Sequence, residues 1–199
     1  MPMLNHHHRL VRTVAGSLLV LALQPGCGGK AGVSSSAEAE TAYLGLDAHI
    51  DKAITLGFAG FNSAHSANIS PQTASGAVTG TLTVTGQVDQ GASSNKTMNL
   101  KEALAGYSDD GMHTYDTDAA ALPLLGLSLK GIPTGTLSGT LAGSYAMTGK
   151  LAGEVTLALA FTGDLEAGPG STVERKPGTT HITGTATSKY GVYAVDLTR

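Results

Sequence analysis

The chain has 199 residues, a formal net charge of −3, 14% charged and 5% aromatic residues, 27 Gly, no Trp and a single Cys. One Cys excludes a disulfide framework and a Cys-rich zinc site, since both need several sulfurs. Low charge and scarce aromatics argue against a nucleic-acid partner, which requires basic phosphate contacts and often stacking platforms.

The first twelve residues carry Arg9 and Arg12 beside His6, His7 and His8, and lead into the uncharged apolar run Thr13–Leu23. A basic region, a short apolar region and a break of small residues, in that order, make an export signal. As a helix the apolar run would reach about 17 Å, well short of the roughly 30 Å hydrocarbon core, so it is not a stable transmembrane span. The three histidines lie in the leader that cleavage removes, so they bring no metal tract into the mature chain.

Cys27 stands directly behind the helix-breaking Pro25-Gly26 pair and ahead of Gly28–Glu40, a Gly/Ser/Ala/Glu stretch too poor in apolar residues to pack. With Gly26 as the small residue before the Cys, this layout resembles the signal of bacterial lipoproteins. The resemblance covers about the first thirty residues and no characterised family is recognised beyond them. It implies that residues 1–26 are a signal peptide, that Cys27 becomes the acylated N-terminus, and that 27–39 are a flexible tether. The implied partner is a membrane, reached through palmitate-type chains, each buried CH₂ contributing about 0.8 kcal/mol. The implied location is the bacterial cell envelope, with Gly28 in place of Asp after the Cys leaning toward the outer membrane. The alternative is a soluble secreted or periplasmic protein with one inert thiol.

Residues 40–199 read as a single domain. Tyr43, Leu46, Ile50, Ile54 and Phe58 recur at spacings of three and four, which predicts one amphipathic helix over 41–58, with Asp47 and Asp51 on another face. Gly57 and Gly60 suggest that it ends there, leading into a link at Asn62–Ser75. Membrane-surface helices carry basic polar faces, and this one offers only Lys52, so its stripe is expected to pack on a sheet.

From Gly76 the period changes to two. Val78, Gly80, Leu82, Val84, Gly86 and Val88 alternate with Thr and Gln, and the same scheme returns over Leu137–Met147 and Leu151–Gly163. Weaker strand candidates are Thr97–Tyr107, Leu122–Lys130, Thr180–Thr187 and Gly191–Thr198. Short Gly/Asn/Asp/Ser breaks favour antiparallel neighbours, so the expected fold is mainly β: a meander of about seven strands over 76–199, forming a curved sheet, partial barrel or sandwich. Gly on the apolar face of the strands either tightens the coil of the sheet or leaves a trough for a ligand. The trough reading places an apolar ligand against Leu137, Leu141, Val155, Leu157 and Phe161.

The most polar segment is Tyr107–Asp118. Asp109, Asp110, His113, Asp116 and Asp118 supply oxygen and imidazole donors for a hard cation, although Asp-Asp-Gly is also plain turn chemistry. Ser108, His113 and Asp116 are the residue types of nucleophilic catalysis, without the strand-turn-helix elbow that exposes a nucleophile. No phosphate-cradling or dinucleotide fingerprint follows a strand, so no cofactor and no catalytic residue is assigned. The resulting expectation is a non-enzymatic, lipid-anchored envelope protein with a binding or structural β domain, in contact with the membrane and an apolar ligand or another envelope protein. The alternatives are a carrier of a small apolar ligand in a β trough and, third, a hydrolase.

Overall fold

A computed structural model describes residues 32–89 and 94–199. Two helices, α1 (Ser36–Leu44) and α2 (Asp47–Ser63), precede ten strands. These are β1 (Asn68–Ser75), β2 (Thr79–Val88), β3 (Lys96–Ser108), β4 (His113–Asp116), β5 (Leu124–Lys130), β6 (Thr136–Gly149), β7 (Gly153–Ala167), β8 (Val173–Arg175), β9 (His181–Ser188) and β10 (Gly191–Thr198).

All ten strands join one antiparallel sheet, ordered β1-β2-β3-β4-β6-β7-β9-β10, with β5 beside β4 in the slot between β3 and β6 and β8 paired to the far end of β7. The expected antiparallel sheet is therefore present, and it departs from a plain meander only where β4 and β5 share one slot and where β9 returns to β7 past β8. Among the described residues the strands form one curved sheet and not the two facing sheets of a sandwich. β4 and β5 behave as one strand interrupted by residues 117–123, with Pro123 laid against Gly143 of β6. The outer strands β1 and β10 are not hydrogen-bonded to each other, so the curved sheet stays open. Pro71 and a register shift between Ile69 and Gln72 interrupt the β1 ladder, a common way of blunting a free edge.

Alternation places Leu82, Val84, Val88, Leu137, Leu141, Tyr145, Val155, Leu157, Leu159 and Phe161 on the buried face. Thr and Ser occupy the outer face, where Thr73–Thr83 and Ser144–Thr156 form cross-strand hydroxyl pairs at 3.0 and 2.7 Å. The helical stripe faces the same core: Tyr43, Leu46, Ile50 and Ile54 are fully buried and Phe58 packs at its margin. Each such side chain contributes roughly 2 kcal/mol of burial free energy, so the stripe is a major part of what holds helix to sheet.

Four expectations are corrected. The single helix is two, parted at Gly45-Leu46, where Leu46 donates to Tyr43 and the released Ala42 carbonyl accepts from the Tyr115 hydroxyl at 2.8 Å. Residues 32–39, expected as part of a flexible tether, belong to the fold: α1 starts at Ser36 with the Ser35 side chain capping Glu38 N–H, and Val33 and Ala39 are buried; residues 27–31 lie outside the described residues. Gly57 and Gly60 do not end the helix; both are buried in α2, and a Cβ on either would lie 2.8 Å from Met98 Sδ or Ile69 Cβ respectively. Finally, the second half of the expected link is strand β1, and two short strands, β4 and β8, form in segments where no strand is expected.

Candidate functional site

The interior of the sheet holds a line of charged groups that fasten α2 to the strands. Asp47 and Asp51 are one helical turn apart and therefore share a face. Both meet Arg175 of β8: Nη1 donates to Asp47 Oδ1 at 2.9 Å, Nη2 to Asp51 Oδ2 at 2.8 Å and to the Asp47 carbonyl at 2.8 Å, and Nε to Asp51 Oδ1 at 3.1 Å. Tyr43 also donates to Asp47 Oδ1 at 2.6 Å. Burial acts to raise the Asp47 pKa, but hydrogen bonds and charge from Arg175 outweigh it and hold the carboxyl below its ordinary value. Arg175 is the buried member and both carboxylates are partly exposed, so removing Arg175 is expected to cost less than the figure of about 3–5 kcal/mol for a fully buried pair.

On the other side of α2, Lys52 donates to Asp109 Oδ1 at 2.5 Å and to the Tyr107 hydroxyl at 3.1 Å, while Asp109 also accepts from Tyr107 at 2.5 Å and from Ala77 N–H at 2.7 Å. These donors overcome the effect of burial and lower the Asp109 pKa.

Between the two lies a fully buried pair. His49 Nε2 stands 3.0 Å from Glu102 Oε2, both side chains at 0% exposure, and His49 Nδ1 faces the Leu46 carbonyl. With an acceptor at each ring nitrogen, the imidazole has the surroundings of its doubly protonated form. Burial alone would lower the His49 pKa, yet the Glu102 charge and hydrogen bond raise it. Burial and the same carboxylate push Tyr145 well above its ordinary value. Nevertheless Glu102 Oε1 and the Tyr145 hydroxyl, both buried, complete no hydrogen bond. The Tyr145 ring packs edge-on to Tyr115 at 6.4 Å. The His49–Glu102 pair is enclosed and fastens the helix, whereas Asp47, Asp51 and Arg175 also line a groove of about 470 Å³ together with Lys176, Thr180 and Arg199.

The five residues suggested for a cation do not converge. Asp110 accepts from His113 Nδ1 at 2.6 Å and from the Met112 and His113 amides, Asp116 accepts from Gly106 N–H, Asp118 caps Ala120 N–H, and Asp109 is held by Lys52. Among the described residues, no group of three or more His, Cys, Asp or Glu is placed to hold a metal. The acidic segment is turn chemistry plus one helix fastener. The Ser108, His113 and Asp116 set likewise fails to form a relay: His113 pairs with Asp110, and Ser108 Oγ accepts from Gly111 N–H.

Leu137, Leu141, Val155, Leu157 and Phe161, the suggested ligand wall, are at most 2% exposed and belong to the same continuous core as the helical stripe. The helices occupy the space that the trough reading reserved for a ligand. Cys27 lies outside the described residues.

One end of the sheet gathers the tips of four hairpins. The registers bring β1-β2, β3-β4, β6-β7 and β9-β10 to turns on the same rim: Val78 N–H donates to the Ser108 carbonyl, Lys150 N–H to the Met112 carbonyl, and a Cβ on Gly111 would touch Val78. The chain enters the described fold at this rim, where Gly32 lies against Ala152 and Tyr190 and the Val33 carbonyl accepts from Ser188 Oγ at 2.5 Å. A groove of about 410 Å³ follows that entrance, lined by Gly32, Val33, Ala152, Glu154, Lys189 and Tyr190 among others. Val78, Met112 and Val192 at this end are 60%, 53% and 65% exposed. The alternation expected from the sequence begins at Val78, but β2 starts at Thr79 and leaves Val78 exposed in the turn before it; Val192 lies in an expected strand that proves to be an edge, and Met112 sits at a turn that no periodicity marks.

No helix among the described residues is long and apolar enough to cross a membrane. No protein-family model, no curated protein and no solved structure matches the chain.

Proposed function

We propose that the chain is a lipid-anchored protein of the bacterial cell envelope, attached through acyl chains on Cys27, with a non-enzymatic β domain that binds or supports another envelope component. The observation that carries this reading is the order of the N-terminal features: basic leader, apolar run, small-residue break, the only Cys, and then a folded domain beginning within a few residues. Gly28 after the Cys favours the outer membrane over retention at the inner one.

The core supports a structural or surface-binding role rather than carriage of an apolar ligand. A carrier needs internal space, and here Tyr43, Leu46, Ile50 and Ile54 fill the concave face with the protein's own side chains. Partners are therefore sought on the Thr-rich outer face and the hairpin tips. Metabolic labelling with a palmitate analogue tests the anchor: the wild-type protein takes up label and Cys27→Ser does not. Absence of label on wild type, or equal label on the variant, overturns it.

A further inference from the structure

If Cys27 is the anchored residue, chain length restricts which part of the domain can touch the bilayer. Five peptide steps separate Cys27 from Gly32 and span at most about 18 Å. Gly32 lies on the rim of hairpin tips, against Ala152 and Tyr190. The opposite rim lies at the far end of strands such as β7, whose 15 residues measure about 50 Å when extended. The anchor thus holds the hairpin rim near the membrane surface and the other rim far from it.

The same rim carries apolar side chains without a protein partner to explain them. Among the described residues five large hydrophobics are exposed, and three of them, Val78, Met112 and Val192, lie at this end. Tyr190, half-buried beside them with Lys189 4.9 Å from its ring centroid, is of the amphipathic type that sits well at headgroup level. Exposed Lys150 and Lys189 are offset by exposed Asp110 and Glu154, so the rim has no strong charge of either sign. Its contact with lipid is accordingly apolar and shallow, with affinity supplied by the acyl chains.

We propose that the hairpin rim around Val78, Met112 and Val192 is a membrane-docking surface that rests on the bilayer to which Cys27 is anchored. This rests on the lipid-anchor reading above. Docking fixes the orientation of the domain, with its long strands rising from the membrane and the opposite rim offered to a partner across the envelope.

The experiment uses the full-length protein purified from membranes and reconstituted into phosphatidylcholine vesicles. Acylation consumes the sulfur of Cys27, the only Cys in the chain, so an introduced thiol is the sole site for a polarity-sensitive dye. Dyes are attached through Val78→Cys, Met112→Cys and Val192→Cys on the rim, and through Thr134→Cys and Lys176→Cys, both exposed at the opposite end. The expected result is blue-shifted emission and several-fold stronger quenching by nitroxide-labelled lipids at the three rim positions than at the two controls. Equal quenching at both ends overturns the proposal, as does a blue shift without lipid quenching, which would mark a contact between protein copies. Palmitate incorporation measured on the same preparation separates the two readings. Label without preferential quenching sinks the docking surface alone, whereas absence of label removes the anchor and this inference with it.

Discussion

His49 and Glu102 meet at 3.0 Å with no exposure to solvent, and their effect on stability has a definite sign. A histidine whose folded pKa is raised stabilises the protein fully below its ordinary value of about 6.5 and loses that contribution as pH rises through the folded pKa. Asp47, Asp109 and Asp110 are shifted the other way, so their contribution holds above the ordinary carboxylate value of about 4 and is lost as pH falls through their folded values. Stability is therefore expected to peak between about pH 4 and pH 6.5 and to decline on both sides. Tyr43, Tyr107, Tyr115 and Tyr145 are all pushed above the usual phenol value, which adds a further loss only above about pH 10. Urea-denaturation midpoints across this range provide the check, with His49→Gln/Glu102→Gln as the diagnostic variant. That double variant should flatten the decline from near neutrality to mildly alkaline pH and keep the acid limb. An unchanged alkaline limb would mean that the pair does not govern it. None of this pairing was legible in the sequence, because His49 and Glu102 are brought together only by folding a helix across a strand 53 positions away.

At the level of elements, the contact of α2 with the sheet depends on two glycines that sequence reasoning took for a helix end. A methyl group at Gly57 meets the flexible thioether of Met98, whereas one at Gly60 meets the β-branched stem of Ile69. Alanine is the better helix former by about 1 kcal/mol, so Gly57→Ala is expected to be near neutral while Gly60→Ala is destabilising by about 1–3 kcal/mol through overpacking. Thermal or urea unfolding of the two variants checks this ranking, and equal effects would contradict the close approach of α2 to β1. The strands themselves were legible because period-two alternation of Leu and Val with Thr survives tertiary packing unchanged. β1 was not, since its Asn-Ile-Ser-Pro-Gln-Thr sequence has one fully buried position and a Pro, the pattern of an edge strand that resembles a loop. α1 was hidden for a related reason: its Ala-rich turns bury small side chains against β10 and show little amphipathic contrast.

For the whole molecule, the question raised by Gly on the apolar face of the strands is answered by what fills the concavity. Gly139 stands opposite Phe161 in the β6-β7 ladder, and a Cβ there would collide with the Phe161 ring, so this Gly makes room for a neighbouring aromatic rather than for a ligand. The helices complete the core, and the seam of Arg175, His49, Glu102 and Lys52 locks them. On the proposed reading, such a domain would be held at a membrane by its anchor and present a rigid surface there. The most direct measurement is the mass of the N-terminal tryptic peptide ending at Lys30, taken from protein extracted from membranes. The account predicts a peptide that begins at Cys27 and carries a diacylglyceryl thioether and an acylated amine. A peptide extending upstream of Cys27, or one beginning there with a free thiol, would contradict it.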